Sequence, residues 1–581
     1  MIYNDKTFFK GYVFSERPLQ IQGIQKKIGS CYLYVDSSLT LHEYKADKHL
    51  IMLGYAIDTH DVSISEQELL TTLAACSTEQ EFHQLLNRMN GRYLLFINDG
   101  DIRIYPDATT MRPIFYYSEV CLLASHSPLL AAIAPIYDRD VKRRGRVNGF
   151  LDFSQYEDIY KLSPNMYYDV KTKRPVRFFP ENPFQEHSLS DALKETLPLL
   201  LNQKEWLKTQ DAFLTLTAGS DSRVSLALTR NRELPVLTYL NNNEKMSEAA
   251  ANIYETDVRI VSEMVDDLNL NHTLINIHPS QVPDDYEHLL KQQLESLHSF
   301  ALSDYLKSSP YSGKLHVKST IYELAKLPYK AALYKSEPVE SLTKIIAGKT
   351  SKILGRDFDL HQAVSKYLER NNLMNTDYSL LDLYYVESRM GNWHSNLTQE
   401  TDNSVEVFVL LNTRDLINAV ISMPLEIREG KWIHREWINA LWPVLNYYPI
   451  NNSDSLYDMY KEHEKTAALH RHIHLSMESS LVLIDRVIQP EFPIKQKNHS
   501  FIVKNISDER RSISFATHYH NPQGKGSLTL EVGHSRYDYT DINEGINVTM
   551  APGESVKMMI KFKKLYEQPS WQKAARLTVK L

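Results

Sequence analysis

Cysteine is nearly absent: Cys31, Cys76 and Cys121 are the only three in 581 residues. That excludes a disulfide framework and any cysteine-rich metal module, and it fits a reducing compartment, so a cytoplasmic protein is expected. Long apolar runs are missing too. Residues 1–14 are broken by Asp5, Lys6, Lys10 and Gly11, which leaves no signal-peptide core, and no later stretch is long enough to span a bilayer. Neither sign of charge dominates, with 65 Lys and Arg against 72 Asp and Glu and a net charge of -7. Without a basic stripe there is no footprint of a nucleic-acid partner. Glycine is sparse at 19 copies, whereas tyrosine reaches 35. The tyrosines read as cross-strand packing with satisfied hydroxyls rather than as platforms for sugars or peptides.

What is present is an ordinary globular composition, 43% hydrophobic and 24% charged, at a length that suits about three domains. The most informative stretch is Phe213-Leu-Thr-Leu-Thr-Ala-Gly-Ser-Asp-Ser-Arg-Val-Ser-Leu-Ala-Leu228. Phe213, Leu214 and Leu216 suit a buried strand, while Val224, Leu226, Ala227 and Leu228 give a helix its apolar side. The small residues of the turn let backbone approach an anion, and the unpaired N–H groups of the next helical turn point at it. Hydroxyls at Thr217, Ser220 and Ser222 add donors, and Asp221 suits a divalent cation bridging phosphates.

Thr217-Ala-Gly-Ser-Asp-Ser222 resembles the pyrophosphate loop of the ATP pyrophosphatases, in particular the asparagine synthetase and β-lactam synthetase branch. No Lys follows the glycine, so it is not a Walker loop. Asp257-Val-Arg-Ile-Val-Ser-Glu-Met-Val-Asp-Asp-Leu-Asn-Leu-Asn-His272, Asn403-Ser-Val-Glu-Val-Phe-Val-Leu-Leu-Asn-Thr-Arg-Asp-Leu416 and Gly430-Lys-Trp-Ile-His-Arg-Glu436 resemble further segments of that family, in its order. Ahead of them, the strand-like Asn90-Gly-Arg-Tyr-Leu-Leu-Phe-Ile-Asn-Asp-Gly100 and residues 102–117 and 122–127 resemble the glutamine amidotransferase domain that precedes the synthetase domain.

The resemblance implies an α/β multidomain protein. Residues 1–185 would form an Ntn-type αββα sandwich with two helices, including one over 65–86, and a proline-containing connection at 179–184 would follow. Residues 188–485 would form a doubly wound parallel sheet with a helical carboxyl-terminal part. Residues 490–581 lie outside the resemblance; their short strands, at 500–505, 512–519, 528–532, 546–550, 556–562 and 576–581, indicate a small β-sandwich. Two roles stay open for it, a glycan-, peptide- or protein-binding module and a stabilising cap or dimer interface. The alternating His470, His472 and His474 read as a solvated helix end rather than as three metal ligands.

The activity implied is ATP-dependent amide-bond formation: a small-molecule or peptide carboxylate is adenylated, pyrophosphate leaves, and ammonia or another amine, within or between molecules, displaces AMP. ATP would lie on Leu216, Thr217, Ala218, Gly219, Ser220, Asp221, Ser222 and Thr238, with Mg2+ on Asp221. Lys431 matches the family's Lys and would stabilise phosphate charge and the later oxyanion. Arg435 suits a structural ion-pair partner, and Glu406 is either functional or a buried pairing residue. Where the family carries a Gly-rich acidic motif, this chain has Leu315-His-Val-Lys-Ser-Thr-Ile-Tyr-Glu-Leu324. Glu323 or another acid would complete the magnesium site, or Lys318 would act near the phosphates. A relative that binds nucleotide or a partner without catalysis is the alternative.

In glutamine-using members a Cys directly after the initiator Met is the nucleophile. Here the sequence given starts Met1-Ile2-Tyr3. The first domain is therefore expected to be a scaffold, and the purified protein to release no glutamate from glutamine in a coupled dehydrogenase assay. Enzymatic glutamate release would refute that expectation.

Overall fold

The computed structural model describes residues 8–144, 150–230, 234–241, 247–350, 358–374, 376–517, 528–567 and 575–581. Met1, Ile2 and Tyr3, and the end of the expected 512–519 strand, lie outside them. The protein is a mixed α/β, multidomain chain in two units, Met1–Ser453 and Asp454–Leu581.

The first unit begins with two antiparallel sheets. One contains β1 (Tyr12–Ser15), β2 (Ile24–Ile28), β3 (Cys31–Val35), β8 (Phe115–Tyr117), β9 (Leu122–Ala124) and β10 (Ile159–Lys161), in the order β10-β8-β9-β1-β3-β2. The other contains β4 (Leu41–Lys45), β5 (His49–Asp58), β6 (Met89–Asn98), β7 (Ile102–Pro106), β11 (Met166–Asp169) and β12 (Arg174–Arg177), in the order β12-β11-β7-β6-β5-β4. Strand side chains alternate between faces, and in β5 and β6 both faces are apolar. Ile51, Leu53, Leu94 and Phe96 share a core with Tyr12, Phe14, Leu33 and Leu123 of the first sheet. Leu50, Met52, Tyr93 and Leu95 turn the other way, onto Leu69, Leu73, Phe82 and Leu86 of two helices.

Those helices, Glu66–Ala75 and Glu79–Arg88, each start with a capping box, Ser65 with Glu68 and Thr78 with Glu81. The continuous helix expected over 65–86 is thus two helices, divided at the second cap. On the outer face of the first sheet, Val13, Phe115 and Leu122 pack against Leu129, Leu130 and Ile133 of a third helix, Ser127–Ile133. The layers run helix, sheet, sheet, helix, and each fully buried Leu, Ile or Phe between them contributes about 1.5–3 kcal/mol.

A five-stranded sheet follows, made of β13 (Ala212–Thr215), β14 (Val236–Asn241), β15 (His272–Ile277), β16 (Leu315–Val317) and β17 (Glu406–Phe408). Every neighbouring pair is parallel, and the order is β15-β14-β13-β16-β17. Parallel neighbours need long crossovers, here supplied by the helices Ser220–Leu228 and Glu248–Leu268 among others. After β13 the chain runs outward to β14 and β15, then returns to the other side of β13 to form β16. The crevice at the carboxyl ends of β13 and β16 is therefore a topological switch point.

The end of this sheet is held by the antiparallel layers. Arg92 of β6, fully buried, makes a two-oxygen pair with Asp402 and a 3.0 Å bond to Glu406 Oε1. Glu406, one of the residues singled out in the sequence, also accepts from Lys10 Nζ at 2.7 Å, so it is a pairing residue. Burial opposes its ionisation, but Lys10, Arg92 and Arg112 hold its carboxyl far below the usual range. Asn90 donates to Val409 O and Leu410 O, and Asn412 donates to Gly91 O at 2.8 Å. Gly91 has φ +142, and a Cβ there would lie 2.3 Å from Tyr55 O, so no side chain fits.

In the second unit, the helix Leu456–His472 ends at the histidines, with His474 already in β18 (Ile473–Met477). Further strands are β19 (Leu481–Ile484), β20 (Val487–Pro490), β21 (Asn498–Asn505), β22 (Arg511–Ala516), β23 (Leu528–Val532), β24 (Ser535–Asp538), β25 (Ile546–Met550), β26 (Ser555–Phe562) and β27 (Leu577–Lys580). They form two antiparallel sheets, β18-β21-β26-β23-β24 and β19-β20-β27-β22-β25. Phe501, Val503 and Ile560 of one share a core with Ile513, Phe515 and Val579 of the other.

Removing one partner of a buried ion pair leaves the other charge uncompensated, which costs about 3–5 kcal/mol. Arg92→Met is expected to lower stability by about that amount in equilibrium urea unfolding, and Arg92→Met with Asp402→Asn by less than the two single changes summed. A loss below about 1 kcal/mol for Arg92→Met would contradict the role given to this pair.

Candidate functional site

Residues 217–222 join β13 to the helix Ser220–Leu228 at the carboxyl end of the parallel sheet. The helix is capped by Gly219, which offers no side-chain acceptor. The N–H groups of its first turn therefore have no intrahelical acceptor and face the loop mouth. The loop's earlier N–H groups are spent on holding its shape. Thr217 N donates to Ser222 Oγ at 3.1 Å, Gly219 N to Thr217 Oγ1 at 3.2 Å, and Ala218 N to Asp257 Oδ1 at 2.7 Å. A Cβ on Gly219 would sit 3.3 Å from Thr217 Oγ1, crowding that arrangement. Asp257 comes from the helix Glu248–Leu268; burial raises its pKa and the bond from Ala218 opposes the rise.

Arg223 clamps the loop from behind. Its fully buried guanidinium donates to four carbonyls, those of Ala218, Leu445, Tyr448 and Pro449. Asn451 N donates to Ala218 O at 3.2 Å from the same segment. Thr238, expected to touch nucleotide, is buried behind the loop, donating to Leu216 O at 2.8 Å and lying 2.9 Å from His272 Nε2. Leu216 and Ala218 are likewise buried, and Ser220 Oγ turns to Asp221 Oδ1 at 3.3 Å.

The loop opens on a cavity of about 480 Å3 at the switch point. Thr217, Gly219, Asp221 and Ser222 line it on one side, and His316, Lys318, Ser319 and Thr320 line it from the end of β16. Asp221 is the only acid among its described lining residues. Lys326 Nζ reaches both Asp221 oxygens, at 2.8 and 2.7 Å, and His434 Nε2 lies 3.1 Å from Oδ1. Burial pushes against ionisation, but the His434 bond and the Lys326 charge outweigh it and bring the Asp221 pKa down to about 2. Among the described residues no group of three or more His, Cys, Asp or Glu is placed to hold a metal.

Lys431 caps the helix Trp432–Leu441 in a left-handed conformation, φ 57 and ψ 31, which a non-glycine residue adopts sparingly. Burial lowers its pKa, as does the neighbouring Lys326, and Asp221 raises it. Lys431, Lys326 and His434 therefore share one charged neighbourhood around Asp221. Glu323 is placed elsewhere: its Oε2 accepts from Tyr385 at 2.9 Å, and it does not line the cavity. Arg435 lies over the Trp432 ring at 4.9 Å. Lys326, His434 and Arg223 are the site residues that sequence reading passed over, although His434 and Arg223 sit inside the motifs it quoted.

No family model matches the chain, and no curated protein matches it. Among solved structures it is similar, at low level, to the allosteric regulatory enzyme of purine biosynthesis, with 12% identity over 54% of this chain and 69% of that one and a TM-score of 0.20. An α-amylase from Anoxybacillus aligns at 9% identity over 63% of this chain and 91% of that one, with a TM-score of 0.11. Likenesses at these scores define neither a shared fold nor a function.

Each buried carbonyl left without its donor costs about 1–3 kcal/mol. Arg223→Met is expected to speed amide hydrogen exchange in peptides covering 217–219 and 445–451 by more than tenfold, measured by mass spectrometry. Unchanged exchange in both segments would show that the clamp lies elsewhere.

Proposed function

We propose that the protein is an ATP-dependent, AMP-forming carbon–nitrogen ligase that adenylates a carboxylate and passes it to ammonia or another amine, in the cytoplasm. The observation that carries this reading is the loop 217–222, with its unshared first-turn N–H groups, opening on the switch-point cavity. On this reading the helix–sheet–sheet–helix layers are an Ntn-type αββα domain that no longer uses glutamine. The parallel sheet is an ATP pyrophosphatase-type domain, and the final unit is a β-sandwich accessory domain open to a glycan, peptide, protein or second copy.

In the first step a carboxylate oxygen forms a bond to the α-phosphorus of ATP while the bond to the pyrophosphate oxygen breaks. Negative charge grows on that leaving oxygen, and fixed donors aimed there lower the barrier without reorganising. The N–H groups of Ser220, Asp221 and Ser222 would meet the phosphate oxygens, while the Ser222 hydroxyl, which donates to Thr217 O at 3.1 Å, holds the loop in shape. Mg2+ needs only one or two carboxylates besides phosphate oxygens. Asp221 fits as that carboxylate, since among the described residues its Oδ2 has Lys326 as its one hydrogen-bond partner. Neutralising phosphate charge is what the ion would supply.

In the second step the amine nitrogen bonds to the acyl carbon, AMP leaves with the former carboxylate oxygen, and one proton is released. Lys431 and Lys326, near each other beside Asp221, would carry positive charge to the tetrahedral oxyanion and the departing AMP. Glu323, bonded to Tyr385, would serve by holding the one-turn helix Tyr322–Lys326 from which Lys326 projects.

The test is mass-spectrometric detection of AMP and pyrophosphate after incubating the protein with ATP, Mg2+, ammonium and a pool of carboxylic acids. Wild type is expected to form both, Asp221→Ala neither, and Lys431→Met at least 100-fold less while binding ATP within about threefold of wild type. A second reading, a nucleotide-binding protein without catalysis, is favoured by one observation: Asp221 is already paired with Lys326 and His434. ATP binding with no AMP from any acid would select it.

A further inference from the structure

The switch-point cavity contains a second group that calls for an anion. Lys318, at the end of β16, lines the cavity and is only 6% exposed. Among the described residues its ammonium makes no hydrogen bond and no ion pair. Its backbone N–H is spent in the ladder, on Phe408 O at 2.9 Å. Glu400 is the acid whose charge acts on it, yet that carboxylate is engaged by the N–H groups of His298 and Ser299. Burial lowers the Lys318 pKa to about 8. His316 beside it is kept neutral by burial and by the Lys318 charge, so it competes for no anion.

Part of the lining is apolar. Phe300, Ala301 and Leu302, at the start of the helix Phe300–Ser308, line the same cavity, as do Trp393 and Leu397. Trp393 is presented by a ten-residue π-helical stretch, Tyr385–His394, a geometry that is rare and concentrates at functional sites. The Arg389 guanidinium covers its ring at 3.7 Å. The one acid among the described lining residues, Asp221, is already shared between Lys326 and His434. Among the described lining residues a ligand bringing its own ammonium finds no free carboxylate, and burying that charge unpaired is unfavourable.

We propose that this subsite takes a monocarboxylic acid with an uncharged apolar body, an arylalkanoate or medium-chain alkanoate, and rejects α-amino acids. The carboxylate sits on the Lys318 ammonium and the body lies against Phe300, Leu302 and Trp393. That this acid is also the one adenylated rests on the ligase reading; its binding does not.

The experiment is calorimetric titration of the full-length protein with 3-phenylpropanoate, hexanoate and L-phenylalanine, each without nucleotide, and separately with ATP and Mg2+. 3-Phenylpropanoate is expected to bind at least tenfold more tightly than L-phenylalanine, which differs from it by the ammonium. Lys318→Met is expected to weaken 3-phenylpropanoate at least tenfold, to leave ATP within about threefold, and to raise the melting temperature of the free protein by removing an unpartnered buried charge. Lys318→Arg is expected to retain part of the binding. L-Phenylalanine binding as tightly as 3-phenylpropanoate, no binding of either alkanoate, or Lys318→Met weakening ATP while sparing the acids would each overturn the proposal, the last by assigning Lys318 to phosphate. Lys318-dependent acid binding in a protein that forms no AMP would uphold the subsite and remove the ligase reading instead.

Discussion

The Arg92 guanidinium is the group on which the first unit turns. It lies inside the protein with no water to share its charge, so it persists there only because Asp402 and Glu406 are brought to it. Those two acids flank the start of β17, the edge strand of the parallel sheet. One charge pair thus fixes where the parallel sheet ends against the antiparallel layers. The amide contacts of Asn90 and Asn412 with residues 409, 410 and 91 repeat the same constraint without charge. A hydrophobic contact tolerates a slide of an ångström or two; a bidentate Arg–carboxylate pair does not.

That register reaches the cavity through β16. β17 pairs in parallel with β16, and Lys318 N is tied to Phe408 O at the top of the pair. The position of Lys318 therefore descends from Arg92 by way of two strands, and the loop 217–222 descends from β13, the partner of β16 on the other side. Two anion-seeking elements, a helix N-terminus and a buried ammonium, are brought to one crevice by strand order alone. Neither segment contains the other's chemistry.

Local features were legible in the sequence and distant ones were not. The strand, turn and helix at 213–228 depend on neighbours within a few positions, so small residues between two apolar runs sufficed to read them. For Glu406 the sequence left a functional and a pairing role open, and its bonds to Lys10 and Arg92 show the pairing. Lys326 and His434 lie 105 and 213 residues from Asp221; nothing around Lys326 marks it, and the motif that contains His434 does not show that its ring turns to Asp221. The single helix read over 65–86 failed for a local reason, since Thr78 with Glu81 forms a second capping box inside it. The helix Leu456–His472 is charged along most of its length, and only the burial of Leu469 with the β-strand core places it in the second unit.

The two charged centres of the crevice differ in a way that gives each a direction. Asp221 is already well partnered: Lys326 and His434 are in contact with it and Lys431 is nearby, so under the proposed function the neighbourhood would gain stability when an anion such as a triphosphate arrives. Lys318, which has no anionic partner among the described residues, would on the subsite proposed above gain from an arriving carboxylate. Under the two proposals made above, the crevice would take two anions at once, a polyphosphate on the loop and a carboxylate on Lys318, and bringing those mutually repelling groups together is what it would contribute.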